Sequence, residues 1–284
     1  MTDAGEALAA AARVLAAAGV ESARADAETL LAHELGATRG RVQALAVAGG
    51  AVDPAVLARF AGLVERRAAR EPLQHLTGLA GFRTIELVVG AGVFVPRPET
   101  EMVAQLAIDA ASGMEHPVVV DLATGSGAIA LAVAAEVPAA TVIGVERNPA
   151  ALAWAQRNAA RLGLPNARIA EGDLADALPE LDGRVDVVIS NPPYIPDGMI
   201  PRDPEVRLHD PADALFGGPD GLDPMRAVVA TAARLLRSGG LLVVEHGEHQ
   251  GADVRALLPA PTWRGRATHP DLTGRDRATT ARRR

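Results

Sequence analysis

Val118-Val119-Val120-Asp121-Leu122-Ala123-Thr124-Gly125-Ser126-Gly127 is the stretch on which the fold turns. It opens with a short apolar run, passes into a glycine-rich turn, and feeds a helical pattern that extends from Ala128 to Val137. A strand that ends in such a turn and enters a helix directly is the opening unit of an α/β sheet. Glycines at that turn let the backbone approach a ligand and take conformations closed to other residues. The next strand, Thr141 to Val145, ends at Glu146, nineteen positions past Gly127. A carboxylate there can accept hydrogen bonds from both ribose hydroxyls of a nucleoside cofactor. Gly125-x-Gly127-x-x-Ala130 followed by this acid also satisfies the dinucleotide fingerprint, and a tight turn with no ligand can look the same, so the loop alone does not choose.

Outward from this unit the chain alternates. Ala150 to Leu162 reads as a second helix and Met225 to Leu236 as another, while Arg168 to Ala170, Asp186 to Ser190 and Leu241 to Glu245 read as further buried strands. Apolar strands alternating with helices imply a mostly parallel sheet covered on both faces. Upstream the texture is helical. Leu8, Ala12 and Leu15 recur at helical spacing before Gly19, and a segment from Ser22 runs through Leu30, Leu31 and Leu35 to Gly36. Arg39 to Val47 has the length of a short helix, and Asp53-Pro54 opens a long one carrying Val56, Leu57, Phe60, Leu63 and Val64. Gly78, Gly81, Gly90 and Gly92 then punctuate a stretch with strand character from Thr84 to Val89. The expected organisation is a helical bundle over 1–80, a linker or hairpin over 81–95, and an α/β domain over 96–284.

The formal charge of −7 on 284 residues disfavours a broad phosphate-binding surface and hence nucleic acid as a partner. Without cysteine there is no disulfide, thiolate metal site or thiol nucleophile, and no metal is expected. No apolar run reaches the length of a membrane span. The alanine-rich start, interrupted by Asp3, Glu6 and Arg13, lacks the layout of a secretory signal, so a cytoplasmic location is the expectation. All 28 basic residues are arginine, and the tail Arg282 to Arg284 reads as a solvated end.

Ligands in α/β sheets sit at the carboxyl ends of strands, and Ser190-Asn191-Pro192-Pro193-Tyr194 follows the apolar strand Val185 to Ile189. A residue before proline is pushed out of the helical region, so Asn191 and Pro192 are both held extended. Neither proline has an N–H, which leaves a stiff segment with outward carbonyls. The Asn191 side-chain oxygen and the Pro192 carbonyl can each accept one N–H of a substrate –NH2 group, while Tyr194 packs on its flat face. Such a nitrogen is a poor nucleophile because its lone pair is conjugated. Acceptors on its hydrogens raise its electron density, and that interaction strengthens as positive charge develops on nitrogen. In-line positioning at roughly 3 Å supplies further acceleration. The N-protonated amide that results is acidic enough for water to deprotonate it, so no dedicated general base is needed and none is evident. A dehydrogenase has no use for the tetrad, so the implied cofactor is S-adenosylmethionine rather than NAD. Asp121 could then hold the donor's ammonium group or cap the following helix, and Asp173 could reach the adenine amine or close an Asx turn.

With loop and tetrad in hand, the chain resembles the PrmC/HemK family, the N5-glutamine methyltransferases of peptide chain release factors. The resemblance runs nearly the whole length. It takes in Arg24-Ala25-Asp26-Ala27-Glu28-Thr29-Leu30-Leu31, Pro72-Leu73-Gln74-His75-Leu76-Thr77-Gly78 and Val95-Pro96-Arg97-Pro98-Glu99-Thr100-Glu101. Beyond the tetrad it continues with Glu245-His246-Gly247 and Asp271-Leu272-Thr273-Gly274-Arg275-Asp276-Arg277. It implies a Rossmann-like class I methyltransferase with a helical N-terminal substrate-docking domain. The implied substrate is the glutamine of the Gly-Gly-Gln motif in class 1 release factors, set against Asn191, Pro192, Pro193 and Tyr194. The donor would be held through Ala123, Thr124, Gly125, Ser126, Gly127, Glu146, Leu174 and Asn191. Ala123 stands where Gly is common, Glu146 where Asp is also used, and Leu174 where an aromatic residue often flanks adenine.

From the residues alone, Pro98 sits near a helix start with Thr100 as cap and Glu101 in the first turn, beside a role in closing the donor pocket. His75 and His246 read as structural. Three rivals stand against the main reading. An adenine-N6 DNA methyltransferase also presents an –NH2 group to such a tetrad, but needs a base-flipping groove and basic surface that this acidic chain does not advertise. The others are a ribosomal-protein glutamine methyltransferase and a release-factor-binding protein with a degenerate donor site.

Overall fold

A computed structural model describes residues 3–284. They divide into two compact units, one running to Leu79 and including Pro201–His209, the other formed by Ala80–Ile200 and Asp210–Arg284.

The first unit is built from α1 (Ala4–Ala17), α2 (Ala23–Leu35), α3 (Arg39–Val47), α4 (Pro54–Ala68) and the short α5 (Leu73–Thr77). Their ends follow from local chemistry. Asp53 accepts a hydrogen bond from the Ala55 N–H with Pro54 in the first turn, and Gly36 takes the left-handed conformation that closes α2. Ala4, Leu8, Ala11 and Leu15 bury one stripe of α1 against Leu30, Leu31, Val42, Phe60 and Leu63. Ser22 precedes α2 as expected, but its hydroxyl donates to the Asp26 carboxylate rather than capping backbone.

In the second unit β1 (Leu79–Phe82) and β2 (Ile85–Val88) pair as a hairpin of their own. The main sheet then follows with α6 (Pro98–Ser112), β3 (Val118–Leu122), α7 (Ala128–Glu136), β4 (Thr141–Glu146), α8 (Pro149–Leu162), β5 (Ala167–Glu171) and β6 (Val185–Ser190). After α9 (Pro204–His209) come α10 (Asp223–Leu235), β7 (Leu236–Glu245), α11 (Gly251–Ala256), β8 (Trp263–Pro270) and β9 (Asp276–Arg283). Helix α9 belongs with the first unit. There Glu205 takes ion pairs from Arg67 at 2.7 Å and Arg70 at 2.6 Å, and Arg67 also pairs with Asp26 at 2.8 Å.

The seven strands lie in the order β5-β4-β3-β6-β7-β9-β8. The first five pair in parallel and β9 runs antiparallel to both its neighbours. Side chains alternate across the strands. Val119, Val142, Val187 and Val243 join α6, α7 and α8 on one face. Val120, Ile143, Val188 and Val244 join α10 and α11 on the other. Helix α7 is apolar all round because it is buried all round. Two expectations are corrected. Trp263–Pro270 and Asp276–Arg283 are strands that no local pattern announces, and the arginine tail, exposed at Arg282 and Arg284, is the end of a strand and half-buried at Arg283. Arg282 and Arg283 lie in β9, where the Arg283 side chain donates to the Ala233 carbonyl.

Candidate functional site

The strand order turns back between β3 and β6, so a crevice opens at their carboxyl ends. Leu122 pairs with Ser190, and the Ser190 hydroxyl donates to the Leu122 carbonyl at 2.6 Å. The glycine-rich loop and the tetrad therefore leave the sheet side by side. Within the loop Ala123, Gly125 and Gly127 all have positive φ, at 59°, 60° and 85°. Gly125 has open space where a side chain would stand, whereas a Cβ on Gly127 would lie 2.9 Å from Leu131 Cδ1. The first leaves room for close approach by a ligand and the second serves helix packing.

Two carboxylates hold the loop. Glu146 accepts from the Gly125 N–H at 2.9 Å, the Arg147 N–H at 2.9 Å and the Asn148 N–H at 2.8 Å. Asp121, fully buried, accepts from the Thr124 hydroxyl at 2.5 Å and the Ala130 N–H at 3.1 Å, both on Oδ2. Its Oδ1 has no hydrogen-bond partner among the described residues. Burial pushes its carboxyl up to about 7, against the two hydrogen bonds and with a smaller push from the Glu146 charge. Both sequence readings of Asp121 are thus present in one side chain: one oxygen caps α7 and the other is left over. Asp173 forms the Asx turn, accepting from the Ala175 N–H at 2.9 Å and pairing with Arg147 at 3.0 Å. Leu174 is buried in the core between β4, β6 and α10.

At the tetrad, Asn191 Nδ2 donates to Thr100 Oγ1 at 3.3 Å, which leaves Oδ1 with no partner among the described residues. The Pro192 carbonyl likewise accepts nothing from them. Tyr194, the only tyrosine of the chain, donates through its hydroxyl to Glu245 Oε1 at 3.3 Å, and its carbonyl accepts from the Gln250 amide at 2.9 Å. Burial, and then the Glu245 charge, push its phenol well above the ordinary tyrosine range. Pro193 is braced by Gly217, whose missing side chain would stand 2.7 Å from the Pro193 carbonyl oxygen. The structure therefore brings together Ala123 to Gly127, Asp121, Glu146 and Asn191 to Tyr194, with Asp173 and Leu174 following β5.

Gln250 and Gly217 were not singled out in the sequence, and Glu245 and Thr100 were named there without a part beside the tetrad. Glu245 ends an apolar strand just as Glu146 does, and that signal was available. Thr100 corrects an expectation. It lies inside α6 with Arg97 in the cap position, and it is buried against Asn191 instead of capping the helix. Arg97 pairs with Asp210 at 2.7 Å and lies over the Phe94 ring, while Glu101 takes the Arg83 N–H at 2.9 Å and so ties down the β1–β2 turn. His246 bonds the Gly247 carbonyl and the Thr279 hydroxyl, both at 2.9 Å, as a structural histidine does.

Comparison with known proteins gives the family. Residues 6–78 match the PrmC N-terminal domain and residues 114–263 a methyltransferase domain. A release factor glutamine methyltransferase of Mycolicibacterium smegmatis is 50% identical over 100% of this chain and 99% of its own length. One from Streptomyces coelicolor is 50% identical over 95% and 94%. The chain belongs to the release factor glutamine methyltransferase family. A further relative, a 4-amino-L-phenylalanine/4-methylamino-L-phenylalanine methyltransferase of Streptomyces pristinaespiralis, is 44% identical over 90% of this chain and 86% of its own. Among solved structures, a T. thermophilus 16S rRNA methyltransferase shares the fold with a TM-score of 0.51 at 21% identity, over 72% of this chain and 50% of that protein's length. The chain is a class I methyltransferase and S-adenosylmethionine is its methyl donor. The residues fit that donor: the orphaned Asp121 oxygen is an acceptor awaiting a cation, and Gly125 leaves room for a close approach. No helix among the described residues is long and apolar enough to cross a membrane.

Proposed function

We propose that this chain methylates the N5 amide nitrogen of the glutamine in the Gly-Gly-Gln motif of class 1 peptide chain release factors. The observation that carries the reading is the pair of open acceptors, Asn191 Oδ1 and the Pro192 carbonyl, beside the glycine-rich loop. The donor supplies an electrophilic sulfonium methyl. Asn191 and Pro192 accept the two N–H bonds of the substrate amide, and this fixes the plane of the nitrogen. Their pull grows as the nitrogen becomes cationic, so it favours the transition state over the ground state. The tetrad needs no flexibility for this, because its prolines pre-set the backbone and Gly217 and Gln250 brace it from behind.

On the donor side, Asp121 Oδ1 takes the ammonium group, and the backbone of Ala123 to Gly127 lies along the amino-acid portion. Glu146 already accepts three N–H groups, which leaves about one of its four lone-pair positions for a ribose hydroxyl. That narrows the expectation of two ribose bonds to one. Asp173 and Leu174 flank the adenine. Residues 1–80 dock the release factor. The acidic chain works on protein in the cytoplasm rather than on nucleic acid, and the fit of the tetrad to a conjugated –NH2 group extends to the aromatic amine named for the Streptomyces pristinaespiralis relative.

The test offers radiolabelled donor with a class 1 release factor, its Gln-to-Ala variant, a ribosomal protein, duplex DNA and 4-amino-L-phenylalanine in parallel. Label is expected on the intact release factor alone. Label on DNA or on the small amine, or label that survives loss of the glutamine, overturns the reading. Asn191→Ala is expected to lower kcat by about two to three orders of magnitude with donor affinity nearly intact, and unchanged turnover would remove Asn191 from the mechanism.

A further inference from the structure

A substrate –NH2 group needs Asn191 to present oxygen and not nitrogen. An amide side chain has nearly the same shape either way round, so something must set its orientation. Its Nδ2 donates to Thr100 Oγ1. A threonine hydroxyl can equally well donate, and if its proton pointed at Asn191 the amide would turn over and offer –NH2 to –NH2. The proton must be drawn elsewhere.

The group that draws it is Glu245. This side chain ends β7, one strand beyond the tetrad, where Ser190 pairs with Val244. Only 3% of it is exposed, yet the reading of Asn191 gives it no part. Oε1 accepts from Tyr194, while Oε2 has no hydrogen-bond partner among the described residues. Among the neighbouring groups Thr100 is the first to favour the charged form of this carboxylate, ahead of Arg277 and Tyr194. Arg277 comes from β9 and is held by Asp271 through two contacts of 3.3 Å. Asp271 in turn accepts from the Thr273 N–H at 2.8 Å, the Thr273 hydroxyl at 2.6 Å and the Arg275 N–H at 3.2 Å. The Asp271 to Arg277 segment, which the reading of the tetrad left without a part, thus seats a fixed cation beside Glu245.

We infer that Glu245 is a positioning residue for methyl transfer: as a carboxylate it can only accept, so it draws the Thr100 proton, obliges Thr100 to accept from Asn191, and turns the Asn191 oxygen toward the substrate nitrogen. The same carboxylate fixes the Tyr194 ring through its hydroxyl. The inference rests on the role given to Asn191 above. A protonated Glu245 can donate to Thr100 instead, which frees the threonine proton for Asn191 and removes the bias. The charged and titratable groups that face it are Glu99 from α6, Tyr194 after β6 and Arg277 from β9. Burial raises its carboxyl to about 7, with Glu99 adding to the rise and Thr100, Arg277 and Tyr194 opposing it.

The experiment measures kcat at saturating donor as a function of pH, with a class 1 release factor as acceptor, for wild type, Glu245→Gln, Thr100→Val, Thr100→Ser and Asn191→Ala. Melting temperature and donor affinity are measured on each. Wild-type kcat is expected to fall on the acid side with a midpoint near 7. Glu245→Gln should lower kcat about five- to tenfold and lose that acid limb. Thr100→Val should lower kcat by a similar factor with donor affinity unchanged, and Thr100→Ser, which keeps the hydroxyl, should restore it. Glu245→Gln with wild-type kcat and the same acid limb overturns the inference. Should Glu245→Gln not fold, the threonine pair decides, and equal kcat for the Val and Ser variants overturns it. An active Asn191→Ala removes the reading on which the inference rests. An inactive Asn191→Ala with wild-type behaviour of the other variants removes the inference alone.

Discussion

Donor binding should be linked to a single proton, and Asp121 supplies it. In the donor-free chain its carboxyl is raised to about 7, because a fully buried side chain with one unpartnered oxygen resists ionisation. An ammonium group placed on Oδ1 reverses that preference, so the donor binds the carboxylate form and releases a proton whenever Asp121 was protonated. The apparent dissociation constant then scales as one plus the ratio of protonated to ionised Asp121. It is nearly flat above about pH 8 and rises about tenfold by about pH 6, close to 1.4 kcal/mol. At the midpoint about half a proton should be released per donor bound. The sign for stability follows from the same shift. A carboxyl whose folded value lies above its ordinary 3.8 stabilises the fold while protonated, and that contribution is lost as pH rises through about 7. Donor restores it, so the donor-induced rise in Tm should be larger at about pH 8 than at about pH 6. Calorimetry in buffers of different ionisation enthalpy measures both quantities. Asp121→Asn keeps the shape and removes the charge. It should abolish the pH dependence, weaken donor binding by about ten- to a hundredfold at about pH 8, and raise the stability of the donor-free chain there. An affinity unchanged from about pH 6 to about pH 8 without proton release, or an Asn variant that keeps the wild-type dependence, would refute the pairing of Asp121 with the ammonium.

Two further outcomes follow from the backbone. Ala123 holds a φ of 59°, a conformation that costs an alanine about 1–2 kcal/mol and a glycine almost nothing. Ala123→Gly should therefore raise Tm by about 1–3 °C after the loss of chain stiffness in the unfolded state, with donor affinity kept within about threefold; a fall in Tm would show that the methyl group is needed. Gly217→Ala places a Cβ 2.7 Å from both the Pro193 and Gly221 carbonyl oxygens, which are backbone atoms with no rotamer to yield. Overpacking of this kind costs about 1–3 kcal/mol and displaces the tetrad, so kcat should fall while donor affinity holds. Loss of both together would place Gly217 in general stability instead.

The difference between what could and could not be read in the sequence is a matter of locality. β3, β4 and β6 are buried on both faces, so their sequences are nearly continuous apolar runs that cannot be mistaken for loop. β8 and β9 lie at the end of the sheet, and Arg264, Arg266, Thr279 and Thr280 interrupt any apolar pattern. Their strand character comes from pairing with β7, which no local window contains. The same division runs through the site. The glycine-rich loop and the tetrad are contiguous, and each residue type there answers to a backbone requirement. The support for Asn191 is assembled from Thr100 on α6, Glu245 on β7 and Arg277 on β9, three segments joined only by the register of the sheet. Sequence placed an acid at the end of β4 and gave it a role. Glu245 carries the same signal at the end of β7, but the groups around it come from distant segments, so the sequence gives it no part beside the tetrad.

That second acid changes how the chemistry depends on protons. Asp121 and Glu245 are both buried, both raised to about 7, and each keeps one oxygen without a partner among the described residues. Asp121 sits beneath the donor loop, so its proton is expelled when donor binds and its titration is absent from turnover at saturating donor. Glu245 sits behind the tetrad, so its titration persists there. With scarce donor both titrations count. On the acid side kcat/KM for the donor should then fall more steeply than kcat, whose own fall levels off at about five- to tenfold. The two carboxylates lie at the ends of strands on the two sides of the point at which strand order reverses, and in the roles proposed for them one controls entry of the methyl donor and the other the aim of its acceptor. Deprotonation of the product amide asks nothing of either. What the site requires of its acids is a charge in place before the reaction begins, and burial near neutrality makes that charge conditional on pH.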